Sequence, residues 1–233
     1  MQTLSRKLVA KYGDWVVTLT QADALSYKQK FGTEKVSCIH NPITIDLPPY
    51  TEPTKHKAVA VGRYTSQKGF DLLIKAWAKV EDKKDWKLVI AGKGKQTKLL
   101  QSLIKKYELT SSVELIPPTN NIQGLFKESG LYVMSSRFEG LPLVLIEAAA
   151  MGLPAVSFAC QTGPDEIIEH EKTGLLVPPM DIDALAKSIQ TCILNDNLRI
   201  QFSKNAASYV GDKFSVKNII DKWESLFNQL KQS

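Results

Sequence analysis

From Lys57 onward, short β-like runs alternate with amphipathic helical stretches, and this alternation confines the chain to a parallel sheet covered by helices on both faces. The predicted strands are residues 58–61, 87–91, 113–116, 131–134, 155–158 and 175–177. They are apolar along most of their length, as strands covered on both sides must be. Between the first two, Phe70, Leu73, Ile74, Trp77 and Val80 fall on one helical stripe, and between the next two Leu99, Leu100, Leu103, Ile104 and Tyr107 do the same. The fold class is therefore α/β, a Rossmann-like doubly wound parallel sheet. After Pro179 the chain reads as helical, with Asp181 and Asp196 as capping residues and residues 216–230 as a last helix.

The first fifty residues follow another pattern. Leu4, Leu8 and Tyr12 have helical spacing, residues 15–19 are strand-like, 23–31 helical and 36–40 extended. That is about one strand and two helices, too little for a domain. The Pro-rich run at 42–53 reads as a linker.

Hydrophobic residues make up 43% of the 233 and charged residues 23%, which excludes a disordered chain and points away from a membrane protein. The longest apolar runs, 141–146 and 148–152, are broken by Glu147 and too short to span a bilayer. Arg6, Lys7 and Lys11 interrupt the only early apolar stretch, so no secretory leader is expected. A cytoplasmic protein is expected, with peripheral contact to the inner membrane face as a further option. Cys38, Cys160 and Cys192 sit in apolar surroundings without metal-ligand spacing and read as reduced core residues; His40, His56 and His170 are scattered. No metal site is expected. The net charge of +6 permits nucleic acid, anionic lipid or a phosphorylated ligand as partner. Lysines spread along helical stretches without interleaved aromatics speak against nucleic acid.

Three segments carry chemistry. VGRYTSQKG (61–69) joins the first strand of the sheet to its helix, where ligands of open α/β sheets sit, so Arg63 and Lys68 suit a pyrophosphate unless they are plain surface cations. Gly69 beside Lys68 would let backbone approach the ligand. AGKGKQTKL (91–99) lacks both the Walker spacing and the third glycine of a dinucleotide fingerprint, and a tight turn without ligand explains it as well. In SSRFEGLPLVLIEAAAMGLPAV (135–156), Pro142 and Gly152 bracket a short apolar helix over 143–151. Its free N–H groups, near Gly140, Leu141, Leu143 and Val144, would face the same crevice. Glu147 inside that helix costs on the order of several kcal/mol without a partner, so it pairs with an internal cation or accepts bonds from ligand hydroxyls. Glu139 precedes the helix in a loop, where a surface position is the simpler reading.

Glu139 and Glu147 stand eight positions apart in EGLPLVLIE, which resembles the two-glutamate signature of the retaining GT-B glycosyltransferases of family four. VGRYTSQKGFDLLIKAW, IAGKG and TGPDEIIEHEKTGLLVPPMD are similar to that family's other segments in the same order, and the match covers residues 15–223. The resemblance implies a metal-independent hexosyltransferase that uses a UDP-sugar or another nucleoside diphosphate sugar and a glycan or lipid-linked acceptor. It implies that Arg63 and Lys68 bind the pyrophosphate and stabilise the departing diphosphate. Glu147 would bind the ribose hydroxyls, and Glu139 would hold the transferred sugar as a further catalytic residue. Gly62, Gly92 and the Gly140, Leu141, Leu143 and Val144 backbone would touch the donor, with Ile116 and Pro117 near the base.

Relatives of this kind have an acceptor-binding N-terminal domain, of which residues 1–41 would be a remnant. Residues 42–56 would be the linker, 57–214 the donor domain and 215–233 a helix that crosses back and exposes an apolar stripe. The family's histidine and aspartate from the N-terminal domain have no counterpart here, so a fragment or truncated product is expected, with the missing half or a membrane surface as partner. A catalytically silent sugar-nucleotide-binding or scaffolding protein is the alternative. Asp181-Ile182-Asp183 matches the DxD metal pattern of other transferases, but a helix N-cap with an acidic first turn is the favoured reading.

Overall fold

The computed structural model describes residues 2–47, 50 and 52–232. Met1 of the expected N-terminal unit, Pro48, Pro49 and Thr51 of the expected linker, and Ser233 of the last segment lie outside the described residues. The chain opens with α1 (Gln2–Tyr12), β1 (Val16–Thr18), α2 (Gln21–Phe31) and β2 (Val36–Cys38). Where the sequence suggests one strand there are two, paired in parallel with Val16 opposite Val36. Each is only three residues long, which blurs the alternating pattern that marks a longer strand. Val16, Ala24 and Val36 form a small core of their own.

The main sheet contains β3 (Lys57–Val61), β4 (Lys87–Ala91), β5 (Val113–Ile116), β6 (Leu131–Met134), β7 (Ala155–Phe158) and β8 (Gly174–Val177). Its order is β5-β4-β3-β6-β7-β8, and every neighbouring pair is parallel. The chain therefore winds outward from β3 to one edge, returns, and winds from β6 to the other. Around the sheet lie α3 (Phe70–Lys79), α4 (Thr97–Lys106), α5 (Ile122–Lys127), α6 (Leu143–Ala150), α7 (Pro164–Ile167), α8 (Ile182–Leu194) and α9 (Asp196–Lys213), followed by α10 (Val216–Lys231). Successive strand residues feed opposite layers: Ala58 and Ala60 join Leu73, Trp77 and Leu100 in one core, while Val59 joins Leu145, Ile146 and Phe214 in the other. Leu99 and Tyr107, expected on the apolar stripe of α4, are partly exposed.

Helix α10 packs on the small unit. Ile219 and Leu226 are buried with Ile39 against Trp15 and Val17, whereas Val216, Ile220 and Phe227 remain exposed. The expected apolar stripe is thus half covered. The connection between the small unit and the sheet is tied down at several points. Ile43 N–H donates to Phe214 O at 2.9 Å, Gln123 Nε2 to Asp46 O at 3.0 Å, and the Tyr50 and Ser203 hydroxyls lie 2.8 Å apart.

Candidate functional site

Because all the strands of the main sheet are parallel, their carboxyl ends share one edge, and the winding reverses between β3 and β6. At such a switch point two neighbouring loops diverge to opposite faces and leave a crevice. The loop after β3 carries Gly62, Arg63 and Lys68; the loop after β6 carries Ser135 to Gly140. The sequence's charged motifs therefore meet where topology opens the sheet.

The loops are packed backbone to backbone. Gly62 N–H donates to Ala91 O and Tyr64 N–H to Lys93 O, at 3.0 and 2.9 Å. A Cβ on Gly92 would fall 1.9 Å from Gly62 O, so only glycine allows this approach. The buried Tyr64 hydroxyl donates to Ile90 O and Ile116 O at 2.8 and 3.1 Å, tying the ends of β4 and β5 to the β3 loop, and burial pushes its phenol up to about 12. Above this platform lies a cavity of about 300 Å³ lined by Gly62, Arg63, Gly92, Lys93, Pro118 and Thr119, among others. The Arg63 side chain is exposed and has no hydrogen-bond or ion-pair partner among the described residues.

Lys68 and Glu139 form an ion pair at 2.6 Å, with side chains 17% and 8% exposed. Ser136 Oγ donates to the same Glu139 oxygen at 2.6 Å, and Thr162 Oγ1 donates to the Glu139 carbonyl. Glu139 is thus a buried, bonded carboxylate, not the surface residue its loop position suggests. Gly69 adopts φ 63°, and a Cβ there would lie 2.0 Å from Ser135 O. This glycine brings the β3 loop against the end of β6. Arg137 completes the clamp: it binds Asp71 with both terminal nitrogens, at 2.9 and 2.8 Å, and Ser66 O at 2.6 Å. Burial alone would raise the Asp71 carboxyl, but the Arg137 bonds and charge outweigh it and hold it below the ordinary range.

Pro142 is the N-cap of α6 and offers no side-chain cap. Leu145 and Ile146 N–H groups both turn to Pro142 O, while those of Gly140, Leu141, Leu143 and Val144 find no acceptor among the described residues. Glu147 lies one turn further along. Its carboxylate meets no lysine or arginine; its one donor among the described residues is Thr44 Oγ1, at 2.9 Å. The internal ion pair left open by the sequence does not form. Burial first, and then the charges of Glu139 and Glu147, raise the Tyr132 phenol.

Gly62, Arg63 and Gly92 thus line one cavity, Lys68 and Glu139 are paired, and Glu147 stands beside the free N–H groups of α6. Ile116 is half-buried with its carbonyl engaged, and Pro117 is exposed; Pro118 and Thr119, one step further along, line the cavity. Sequence reasoning missed Lys93, which the glycines around it could have marked, and Ser136 and Thr44, which no local signal marks. Asp181 accepts from Ala184 N–H at 2.9 Å as the N-cap of α8, and Asp183 pairs with Lys79, as the capping reading of the DxD pattern requires.

Residues 47–209 match the model of a family described as glycosyl transferases group 1. The chain is 34% identical over 228 residues to an uncharacterized glycosyltransferase of Haemophilus influenzae, covering 97% of this chain and 64% of the relative. It is 34% identical to the amylovoran biosynthesis glycosyltransferase AmsD of Erwinia amylovora, covering 91% of this chain and 62% of that one. The chain therefore spans a little under two thirds of the length of these curated relatives. Its fold superposes on a mutant of S. aureus TarM, crystallised with UDP, fondaparinux and α-GlcNAc-glycerol, with a TM-score of 0.89 and 28% identity. That likeness covers 98% of this chain and 47% of the TarM chain.

Proposed function

This chain belongs to the glycosyl transferases group 1 family and has the GT-B donor-domain fold, and from that premise we propose that it is the donor-binding part of a retaining hexosyltransferase using a UDP-sugar. The observation that carries the reading is the convergence, at the β3/β6 switch point, of Arg63 and four N–H groups before and within α6, all without partners among the described residues, with the Lys68–Glu139 pair and the carboxylate of Glu147. Arg63, Lys68 and the N–H groups take the pyrophosphate. They supply positive charge where the leaving diphosphate develops negative charge, without a metal ion. Glu147 accepts the ribose hydroxyls, and Glu139, paired with Lys68, faces the transferred sugar. The cavity by Gly92, Pro118 and Thr119 takes the base, and the mutant TarM crystal that holds UDP supports a uridine nucleotide.

The acceptor is a glycan or lipid-linked glycan, a reading supported by the AmsD relative's place in amylovoran biosynthesis. No helix among the described residues is long and apolar enough to cross a membrane. Residues 1–41 belong to the acceptor-side unit, 42–56 to the connection, 57–214 to the donor domain and 215–233 to the crossover helix. The packing of α10 on β1, in place of the main sheet, supports this division.

The test is calorimetric titration of the chain with UDP, GDP, ADP and their glucose or N-acetylglucosamine esters, with and without EDTA. One nucleotide series binds, and chelation leaves the affinity unchanged. Loss of binding on chelation overturns the metal-free site, and failure of every nucleotide to bind overturns the donor-site reading.

A further inference from the structure

We infer that Thr44 is a positioning residue for the nucleoside end of the site, fixing the Glu147 carboxylate from the segment that connects the small unit to the main sheet. The inference rests on the ribose reading of Glu147 proposed above.

Glu147 is set in a helix whose neighbours Ile146 and Ala148 are buried and apolar, and no cation among the described residues holds its carboxylate. A glutamate has several rotatable bonds. Left alone at the edge of a crevice, it would sample several rotamers and have to be ordered when a ligand binds. The hydroxyl of Thr44, 103 residues earlier, donates to Glu147 Oε1 at 2.9 Å. Thr44 itself cannot drift. On one side the Ile43 N–H is bonded to Phe214 O and the Ile43 side chain packs on the core shared with Leu145 and Ile146. On the other side the Asp46 carbonyl accepts from Gln123. Threonine also has a restricted χ1, so its hydroxyl is aimed by the backbone.

The geometry leaves room for a ligand. An ionised carboxylate offers about four lone-pair sites, of which Thr44 takes one, and a ribose diol needs two. The Thr44 bond therefore orients the acceptor without consuming it. Ordering the carboxylate beforehand removes the cost of immobilising it on binding, an effect of about three- to tenfold in affinity.

The experiment measures the affinity of the best-bound of UDP, GDP and ADP, and of its 2′-deoxy counterpart, for the wild-type chain, Thr44→Val, Thr44→Ser, Glu147→Gln and the Thr44→Val/Glu147→Gln double variant. Thr44→Val is expected to weaken the ribonucleotide about three- to tenfold and the deoxynucleotide less, narrowing the ratio between them. Thr44→Ser keeps the hydroxyl and restores most of the ratio. In the Glu147→Gln background, Thr44→Val adds little, because the two act as one unit. A purely structural role of Thr44 would weaken both nucleotides alike and leave the ratio unchanged. If Glu147→Gln collapses the ratio while Thr44→Val leaves it intact, the Thr44 proposal is overturned and the ribose reading stands. If Glu147→Gln itself leaves the ratio intact, the ribose reading falls and takes the role of Thr44 with it. Thr44 is exposed, so its variants are expected to fold, and thermal melts of each check this directly.

Discussion

Lys68 and Glu139 neutralise each other in a largely desolvated place, and that makes them partners before any ligand arrives. Removing one leaves the other short of its partner, so Lys68→Met or Glu139→Gln should each destabilise the empty protein by roughly 1–3 kcal/mol. The double variant should lose less than the sum, and urea denaturation of the four proteins measures this coupling. The same pair separates the jobs of the two glutamates. Glu139→Gln releases Lys68 to a bare nucleoside diphosphate, whose affinity should hold or rise, while a sugar-bearing donor should bind more weakly. Glu147→Gln replaces a charged acceptor and should weaken both ligands alike, about ten- to hundredfold. Titration of both ligands into both variants decides: equal losses for bare diphosphate and full donor in Glu139→Gln would break the assignment. At this scale the sequence marks the residue types but not their pairings. Glu139 looked exposed because Lys68 lies 71 residues away, and nothing near Glu147 announces Thr44.

At the scale of elements, the main sheet is legible because its strands are buried on both faces and read as apolar runs with glycine-bearing turns behind them. The short α6 is legible for the same reason, bracketed by Pro142 and by Gly152, which adopts φ 76°. The small unit is not. Three-residue strands leave no period to count, and its second strand is recognised only by the partner it finds. In the acidic DxD run, where the capping reading is favoured over a metal pair, Asp181 accepts the hydrogen bond from Ala184 that a cap makes. Asp181→Ala should therefore lower stability by about 1 kcal/mol, the usual loss for an N-cap, without changing nucleotide affinity. Asp183→Ala should cost less still, because its ion pair with Lys79 is exposed. Denaturation midpoints beside a nucleotide titration in the presence and absence of Mg²⁺ check both, and a Mg²⁺-dependent loss of affinity in either variant would return these residues to a metal role.

Across the whole molecule, one buried cluster joins the small unit to the main sheet. Glu166, on α7, accepts from the Gln21 N–H at the start of α2 at 2.5 Å, and one of its oxygens lies 3.1 Å from His40 Nε2, just after β2. Lys213 lies 3.7 Å from the same carboxylate, Cys38 Sγ is 3.8 Å from His40, and the charge of Lys222 is also felt there. His40 packs edge-on against Phe214, and its Nδ1 has no hydrogen-bond partner among the described residues. Burial lowers the His40 pKa; the bond and charge of Glu166 pull it back only in part, and the two lysines oppose that pull. The sign follows from linkage: with the folded value below the unfolded one, the unfolded chain binds the proton more readily. The contribution of His40 is thus fully present above about pH 6.5 and is lost as pH falls toward the lowered folded value. Within that window the slope for one proton reaches at most about 1.4 kcal/mol per pH unit. His40→Gln keeps an amide donor toward Glu166 but cannot titrate, so its denaturation midpoint should fall less between pH 7.5 and 5.5 than that of the wild type. Hydrogen exchange at the backbone of α2 and β2 should show the same difference, because these elements lean on Glu166 and His40. If wild type and variant lose stability in parallel over that range, acid sensitivity arises elsewhere and the cluster is only a structural joint.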